Sequence, residues 1–522
     1  MSESPRPKRY KSWSQDQILF FELDPAAQLP PGSFDAVLND VVDQRIDTGI
    51  FNHWYRNEST GCAAYDPAML LKVVLYAYHR GMLSSREMER ACRENATFVA
   101  LSGNSQPKKS TLAAFISRMD SEAISVFTDV LQYCDHLGLI GGGHLAIDGC
   151  KLPSNASKQA SGFRRDFLKR RSKLKARIER LQQEHRSMDA REAGEAEATA
   201  AKLKQQQQAL DTVEAWLKEN TTDRQGVGKR KKPVQSNLTD PDSAKMKTSH
   251  GTIQGYTGIA VVDDDHQVVV HAQAWGQGQE NNLLLPSIDG SERQLRAIGH
   301  SQPLQNTAIT ADSGFSETGN LTTLKARGLN AYIADKDMYE RQLGEGARDH
   351  HKIRHRQERK RQVGISSAKV RFTAADFTHN VASKTLSCPN NRRLGFEHQH
   401  ILPSGSVVQR YKANPKHCQA CPLKARCLKR PNQITGRQIQ IKTGQVETDA
   451  SRAVEWMIKR LDSQAGKAIY ARRLGCVEPV FGNHRNHRRD RFTLRGKRKV
   501  NNQWLLYNIV HNVGKCHTRV AA

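Results

Sequence analysis

His144–Lys151 reads HLAIDGCK. A short apolar run, Leu145, Ala146 and Ile147, follows the Gly-rich lead-in Gly141–Gly143 and ends in an aspartate and a glycine. That pattern predicts a buried strand presenting one carboxylate, Asp148, at its end. Asn306–Gly314, NTAITADSG, repeats the design and presents Asp312. A third carboxylate, Glu478, lies in Tyr470–Gly482, YARRLGCVEPVFG, which reads as a helix ending near Pro479. Three such acids make an oxygen-rich site for hard divalent cations such as Mg²⁺. Two ions there could clamp the attacking and leaving oxygens of an in-line phosphodiester displacement. Taken singly, either aspartate reads more simply as an ordinary strand terminator.

The composition bears on the partner. Lys and Arg number 80 against 53 acidic residues in 522, a formal charge of +27. Such an excess repels itself in a compact chain unless a polyanion is at hand, so nucleic acid is the first expectation. Charge alone also suits a merely basic or ribosome-associated protein. No segment reaches the 18 or so uninterrupted apolar residues of a membrane span, since Lys72 breaks the best run, Met69–Tyr78. The opening MSESPRPKRYKSW has no apolar core after its charges and does not read as a secretory signal. The expectation is a cytoplasmic protein with no membrane partner, its ten cysteines thiols or metal ligands rather than disulfides.

Outward from the Asp148 strand the chain divides by pattern. Residues 1–17 read as a flexible basic arm, and 18–140 as an all-helical domain. Its helices are expected at Phe34–Asp47, Pro67–His79, Ser85–Glu94, Phe98–Leu101 and Thr111–Leu137. Short helices around the polar turn Asn104–Lys109 suit a helix-turn-helix that enters a DNA major groove, or a bundle serving dimerisation. Phe167, Leu174, Leu181 and Met188, then Leu203, Leu210 and Leu217, recur every seven residues and predict an inserted helical hairpin over 163–220. Asp223–Pro233 reads as a mobile basic linker.

A strand hairpin (Gly255–Val262, Gln267–Ala274), a helix (Glu280–Arg296), the Asp312 strand, a helix (Glu317–Arg327) and a strand (Ala331–Ile333) then predict a mixed α/β sheet domain, 141–334 with 451–522. Between them, 335–450 reads as an insertion with a basic stretch Arg348–Arg361 and strand-like runs at Ser406–Tyr411 and Gln438–Lys442. Cys418, Cys421 and Cys427, with Cys388 upstream, match the ligand count of a structural Cys₄ Zn²⁺ site, or form a reduced cluster without metal. A helix is expected over Ser451–Arg473 and a closing helix over Asn502–Val513. Arg485–Lys499, including Arg488 and Arg489, holds eight basic residues against Asp490 and suits phosphate contacts, or is a solvated basic loop.

With these motifs the chain resembles the DDE transposases of bacterial insertion sequences, along nearly its whole length. The stretches carrying the resemblance are Tyr65–Asn95, Lys108–Phe115, LAIDGCKLPSNAS, Asp240–Val270 and ITADSGFSETGNL. The family's Tyr, Arg, Glu, Lys signature falls on Tyr470, Arg473, Glu478 and Arg485, with arginine in place of lysine and one extra residue between Arg473 and Glu478. The resemblance implies a ribonuclease-H-like catalytic domain. Asp148, Asp312 and Glu478 would bind two Mg²⁺ or Mn²⁺ ions, and Tyr470, Arg473 and Arg485 would hold phosphates. The implied partners are double-stranded DNA, as element terminal repeats and target, and a second copy of the chain on that DNA. A catalytically idle DNA-binding protein and a stand-alone metal-dependent nuclease of the same fold are the alternatives.

Overall fold

Phe34, Val37, Leu38, Val41 and Val42 recur at helical spacing, and in the computed structural model they form the buried face of α1 (Phe34–Gln44), capped by Ser33. The structure describes residues 27–55, 63–187, 193–226, 231–249, 251–343, 372–402, 405–430 and 433–521. The expected arm 1–17 and the basic stretch Arg348–Arg361 lie outside the described residues. Helices α2 (Pro67–His79), α3 (Ser85–Glu94) and α4 (Ala96–Leu101) stand where the apolar spacing put them; Asp66 caps the first and a Ser84/Glu87 capping box the second. The long helix expected over Thr111–Leu137 is instead two, α5 (Lys109–Arg118) and α6 (Ser121–His136). Between them the Met119 carbonyl accepts a hydrogen bond from Arg498 Nη1 at 2.8 Å. The break is thus held by a distant helix rather than by a local breaker.

The central sheet carries the site. Strand β1 (His144–Pro153) pairs antiparallel with β5 (Gly251–Asp263) and parallel with β7 (Ala308–Ala311), which pairs parallel with β8 (Ala331–Ile333). On its other side β5 pairs with β4 (Ala244–Thr248) along one half and β6 (Val269–Trp275) along the other. His144 pins β1 in place, one ring nitrogen 2.9 Å from Asp264 Oδ2 and the other 2.8 Å from Thr310 Oγ1. Between β1 and β4 come the short pair β2 (Ser161–Gly162) and β3 (Ser236–Asn237), and the hairpin of α7 (Arg164–Ser187) and α8 (Ala193–Glu219). The hairpin buries its own cluster, including Phe167, Leu174, Leu210, Trp216 and Leu217. At its base, the linker expected to be mobile is anchored where described. Arg224 donates to the carbonyls of Pro241, Asp242, Ser243 and Gly276, and Gln225 bridges to Pro233.

Helices α9 (Leu284–Ala297) and α10 (Thr318–Ala326) follow β6 and β7, and α11 (Met338–Leu343) follows β8. A second sheet is all antiparallel: β9 (Thr378–Asn380), β10 (Thr385–Ser387), β11 (Arg393–Ile401), β12 (Ser406–Ala413) and β13 (Gln438–Gln445) in that order. The short helices α12 (Pro415–Gln419) and α13 (Lys424–Cys427) lie between its last two strands.

The chain then returns to the first sheet with α14 (Asp449–Asp462), α15 (Gln464–Asn486) and α16 (Lys497–Val520). The helix expected over Ser451–Arg473 is cut at Ser463, whose hydroxyl accepts from Gly466 N and caps α15. Nor does α15 end near Pro479; it runs on to Asn486. Proline removes the bond to the carbonyl four residues back, and that carbonyl, Gly475, instead accepts from Gln267 Nε2 at 3.2 Å.

Helix α16 covers the free side of β6 with amide side chains. Asn512 both accepts from Val269 N and donates to Val269 O, each at 2.9 Å, and Asn501 accepts from Ala274 N at 2.9 Å. Eleven helical residues and five strand residues both span about 16.5 Å, so the two asparagines meet the strand at matching intervals. One apolar cluster runs from α1 through the sheet to α16.

Candidate active site

Asp148 stands where β1 loses its parallel neighbour. Ile147 is level with Ala311, the last residue of β7, so Asp312 leaves the sheet beside Asp148. Adjacent strands lie about 4.8 Å apart, which sets these two residues side by side. Asp148 Oδ1 accepts from Gly149 N at 2.8 Å, and Oδ2 from Arg473 Nη2 at 2.8 Å. Burial pushes its carboxyl above the usual range; Arg473 and the Gly149 N–H oppose that, and Asp312 and Glu478 add to it. Asp312 Oδ1 accepts from Gly314 N at 2.8 Å, capping the turn Ser313–Phe315.

Helix α15 crosses β1, β5, β7 and β8 and supplies the remaining residues. Glu478 and Arg485 are exposed and line, with Asp148, Lys151 and Phe481, a cleft of about 1060 Å³. Tyr470 is half-buried, its hydroxyl pushed up to about 12 by burial, with Asp312 and Asp148 close enough to add to the rise. Arg473 is 5% exposed and committed to Asp148, so in this structure it holds a carboxylate rather than a phosphate. Arg488 is exposed but faces a separate cleft with Ser84, Asn155 and Phe492. Arg489 departs from the expected phosphate contact: it is 1% exposed, and donates to Asn483 Oδ1 at 3.2 Å. Burial lowers its pKa to about 10, and it serves the interior.

One acid in the cleft went unread in the sequence. Glu280 lines it beside Asp148 and Glu478, its side chain 15% exposed, with Lys151 Nζ at 3.8 Å. Burial, then Asp312 and Asp148, push its carboxyl up to about 7 against the pull of Lys151. Its only signal was the Gly276–Gln279 lead-in, GQGQ, which resembles the one before Asp148 in being Gly-rich.

The acids present only carboxylate oxygens to the cleft, a donor set that fits Mg²⁺ or Mn²⁺. Among the described residues no group of three or more His, Cys, Asp or Glu side chains already stands at ligand spacing. Away from this cleft, Cys388, Cys418, Cys421 and Cys427, all half-buried, line a small cavity of about 30 Å³ beside the second sheet. Three of their sulfurs accept hydrogen bonds at 3.4 Å, Cys388 from Arg392 N, Cys418 from Arg437 N and Cys421 from Asn390 Nδ2.

Two family models match the chain. A "Transposase domain (DUF772)" covers residues 24–118, and a "Transposase DDE domain" covers 387–517, which includes the four cysteines and Glu478. Asp148, Glu280 and Asp312 fall between the two matches. No curated protein matches the chain. Among solved structures, a cryo-EM structure of the piggyBac transposase synaptic complex with hairpin DNA aligns at 10% identity and a TM-score of 0.26, over 96% of this chain and 76% of that one. That likeness is too low to carry an argument. No helix among the described residues is long and apolar enough to cross a membrane. The chain thus carries a transposase domain in its N-terminal part and a transposase DDE domain in its C-terminal part, which together support a DDE transposase of the insertion-sequence type.

Proposed function

We propose that this transposase binds the ends of its element and performs cleavage and strand transfer at Asp148, Asp312 and Glu478. The observation that carries the reading is the juxtaposition of Asp148, midway along β1, with Asp312, just past the end of β7, with Glu478 acting on the same Asp148 carboxylate. The sheet order β6-β5-β1-β7-β8, three strands antiparallel and the rest parallel, supports a ribonuclease-H-like catalytic domain. That domain would comprise 141–334 and 451–522, with the hairpin 163–220 and the cysteine-bearing 335–450 as insertions and 18–140 as the DNA-binding or dimerisation part.

Two Mg²⁺ or Mn²⁺ ions held by the three acids would supply activation of the attacking oxygen and stabilisation of the leaving 3′-oxygen. Arg485, exposed at the cleft, can grip a backbone phosphate through its planar fork. Arg473, at 2.8 Å, opposes the burial that raises the Asp148 carboxyl and fixes its direction. Cutting two ends in concert calls for a homodimer on DNA. The four cysteines would hold one structural Zn²⁺: the thiols line a single small cavity, and amide N–H groups donate to sulfur as they do around metal-bound thiolates.

The test is excision of a marker flanked by the repeats that border the reading frame. Wild type should excise, and Asp148→Ala, Asp312→Ala and Glu478→Ala should not, while binding to the ends persists. Excision indifferent to these acids would sink the assignment. End binding with no excision by wild type would leave a DNA-binding protein.

A further inference from the structure

Glu280 occupies the N-cap position of the turn Asn281–Leu283 ahead of α9, where a side chain usually accepts hydrogen bonds from its own turn. It makes no such cap. Its carboxylate reaches instead into the space left by two glycines that follow the site aspartates. A Cβ on Gly314 would stand 3.3 Å from Glu280 Oε2, and one on Gly149 would stand 3.5 Å from Glu280 Cδ. A Cβ on Gly149 would also meet Ile259 Cδ1 at 2.7 Å, so a side chain there would have to displace the buried Ile259. The backbone beside both Asp148 and Asp312 is therefore bare, and the Glu280 carboxylate lies against both bare positions. Its cation, Lys151, lies on β1 three residues beyond Asp148 and approaches only to 3.8 Å.

We propose that Glu280 is a fourth carboxylate ligand of this metal site, completing with Asp148, Asp312 and Glu478 a set of four negative charges for two divalent ions. The proposal rests on the three-acid metal site proposed above. A residue that only anchored α9 would have used its carboxylate as a cap, and one that only paired with Lys151 would not need two bare glycines against it.

The experiment is Mn²⁺ titration of the full-length protein, followed by the electron paramagnetic resonance signal of free Mn²⁺, for wild type, Glu280→Gln and Asp148→Asn. Melting of the metal-free proteins, measured in parallel, establishes that each variant is folded. Wild type is expected to bind two ions, and Glu280→Gln to bind at least one of them about tenfold or more weakly, while melting no lower than wild type. Glu280→Asp, which keeps the charge but shortens the reach, should recover part of the affinity. Wild-type affinity and stoichiometry in Glu280→Gln, with binding weakened in Asp148→Asn, would overturn the fourth ligand and leave the three-acid site standing. Absence of binding in wild type, or binding unchanged by Asp148→Asn, would overturn both.

Discussion

Arginines that look alike in the sequence do unlike work, because burial decides what each can touch. Arg485 is open to the cleft, Arg473 is spent on Asp148, and Arg489 is closed inside with Asn483. The cysteines sort the same way: Cys134 and Cys516 meet in the interior at 3.4 Å between sulfurs, whereas the insertion's four gather around one cavity. Burial raises the Cys427 thiol, and its three neighbouring thiols add to that, so the group gains most from a cation that lets it ionise. The purified protein should therefore carry about one zinc per chain by elemental analysis, with three or four thiolates filling a tetrahedral site. Cys421→Ser should lose most of it and lower the melting temperature of the second sheet. Metal-free protein whose melting ignores chelators would count against the zinc.

The elements are held by side chains that stand in for missing backbone partners. Gln267 serves the carbonyl that Pro479 leaves free, and Asn512 serves both polar groups of Val269 on the outer strand. Asn512 is wholly buried. Replacing it with leucine would leave a buried N–H and a buried C=O unpaired, each costing about 1–3 kcal/mol. Asn512→Leu should accordingly lower the urea midpoint by the equivalent of about 2–6 kcal/mol with the slope unchanged. Asn512→Asp, which keeps the acceptor alone, should fall between the two. A leucine variant as stable as wild type would mean that water reaches this edge of β6.

Across the whole molecule, histidines sit neutral where the N-terminal helices, the sheet and the last two helices pack together. Burial lowers His79 to about 3, His271 to about 4 and His511 to about 3, and takes His484 well below its usual value. Each binds its proton more readily in the unfolded chain, so each contributes stability above about pH 6.5 that is lost as the pH falls below it. Glu280, raised to about 7, and Asp148 act in the opposite sense, losing protons more readily on unfolding. Burial lowers His487 as well and raises Asp129 and Asp263, so five histidines stand against four carboxylates. The metal-free protein should lose stability steadily from about pH 6.5 to pH 4.5, and His511→Gln should flatten that slope by close to one proton. Equal slopes in urea melts of the two would show that His511 is protonated in the folded state.

How much of this was legible before folding follows from range. Periodicity and caps are local, so α2, α3 and β8 have the bounds read from Pro67–His79, Ser85–Glu94 and Ala331–Ile333. The two aspartates and the family signature were readable for the same reason, since each sits in its own short motif; Asp312 follows its strand as expected, whereas β1 runs on past Asp148 to Pro153 because β5 continues to pair with it. Helix breaks and continuations were not, because the break at Met119 and the passage through Pro479 are held by Arg498 and Gln267 from far along the chain. Strands β4, β9, β10 and β11 were missed as well, for the first three are short and the nine-residue β11 is nearly all exposed, so none carries much apolar pattern of its own. The sequence by itself determined that Asp148 and Asp312 lie in short strand motifs and made a polyanion the first expected partner, because charge and short-range pattern survive in the unfolded chain. Only the tertiary structure decided that Glu280 joins them while Arg489 does not, because burial and direction are properties of the packed sheet and its covering helices.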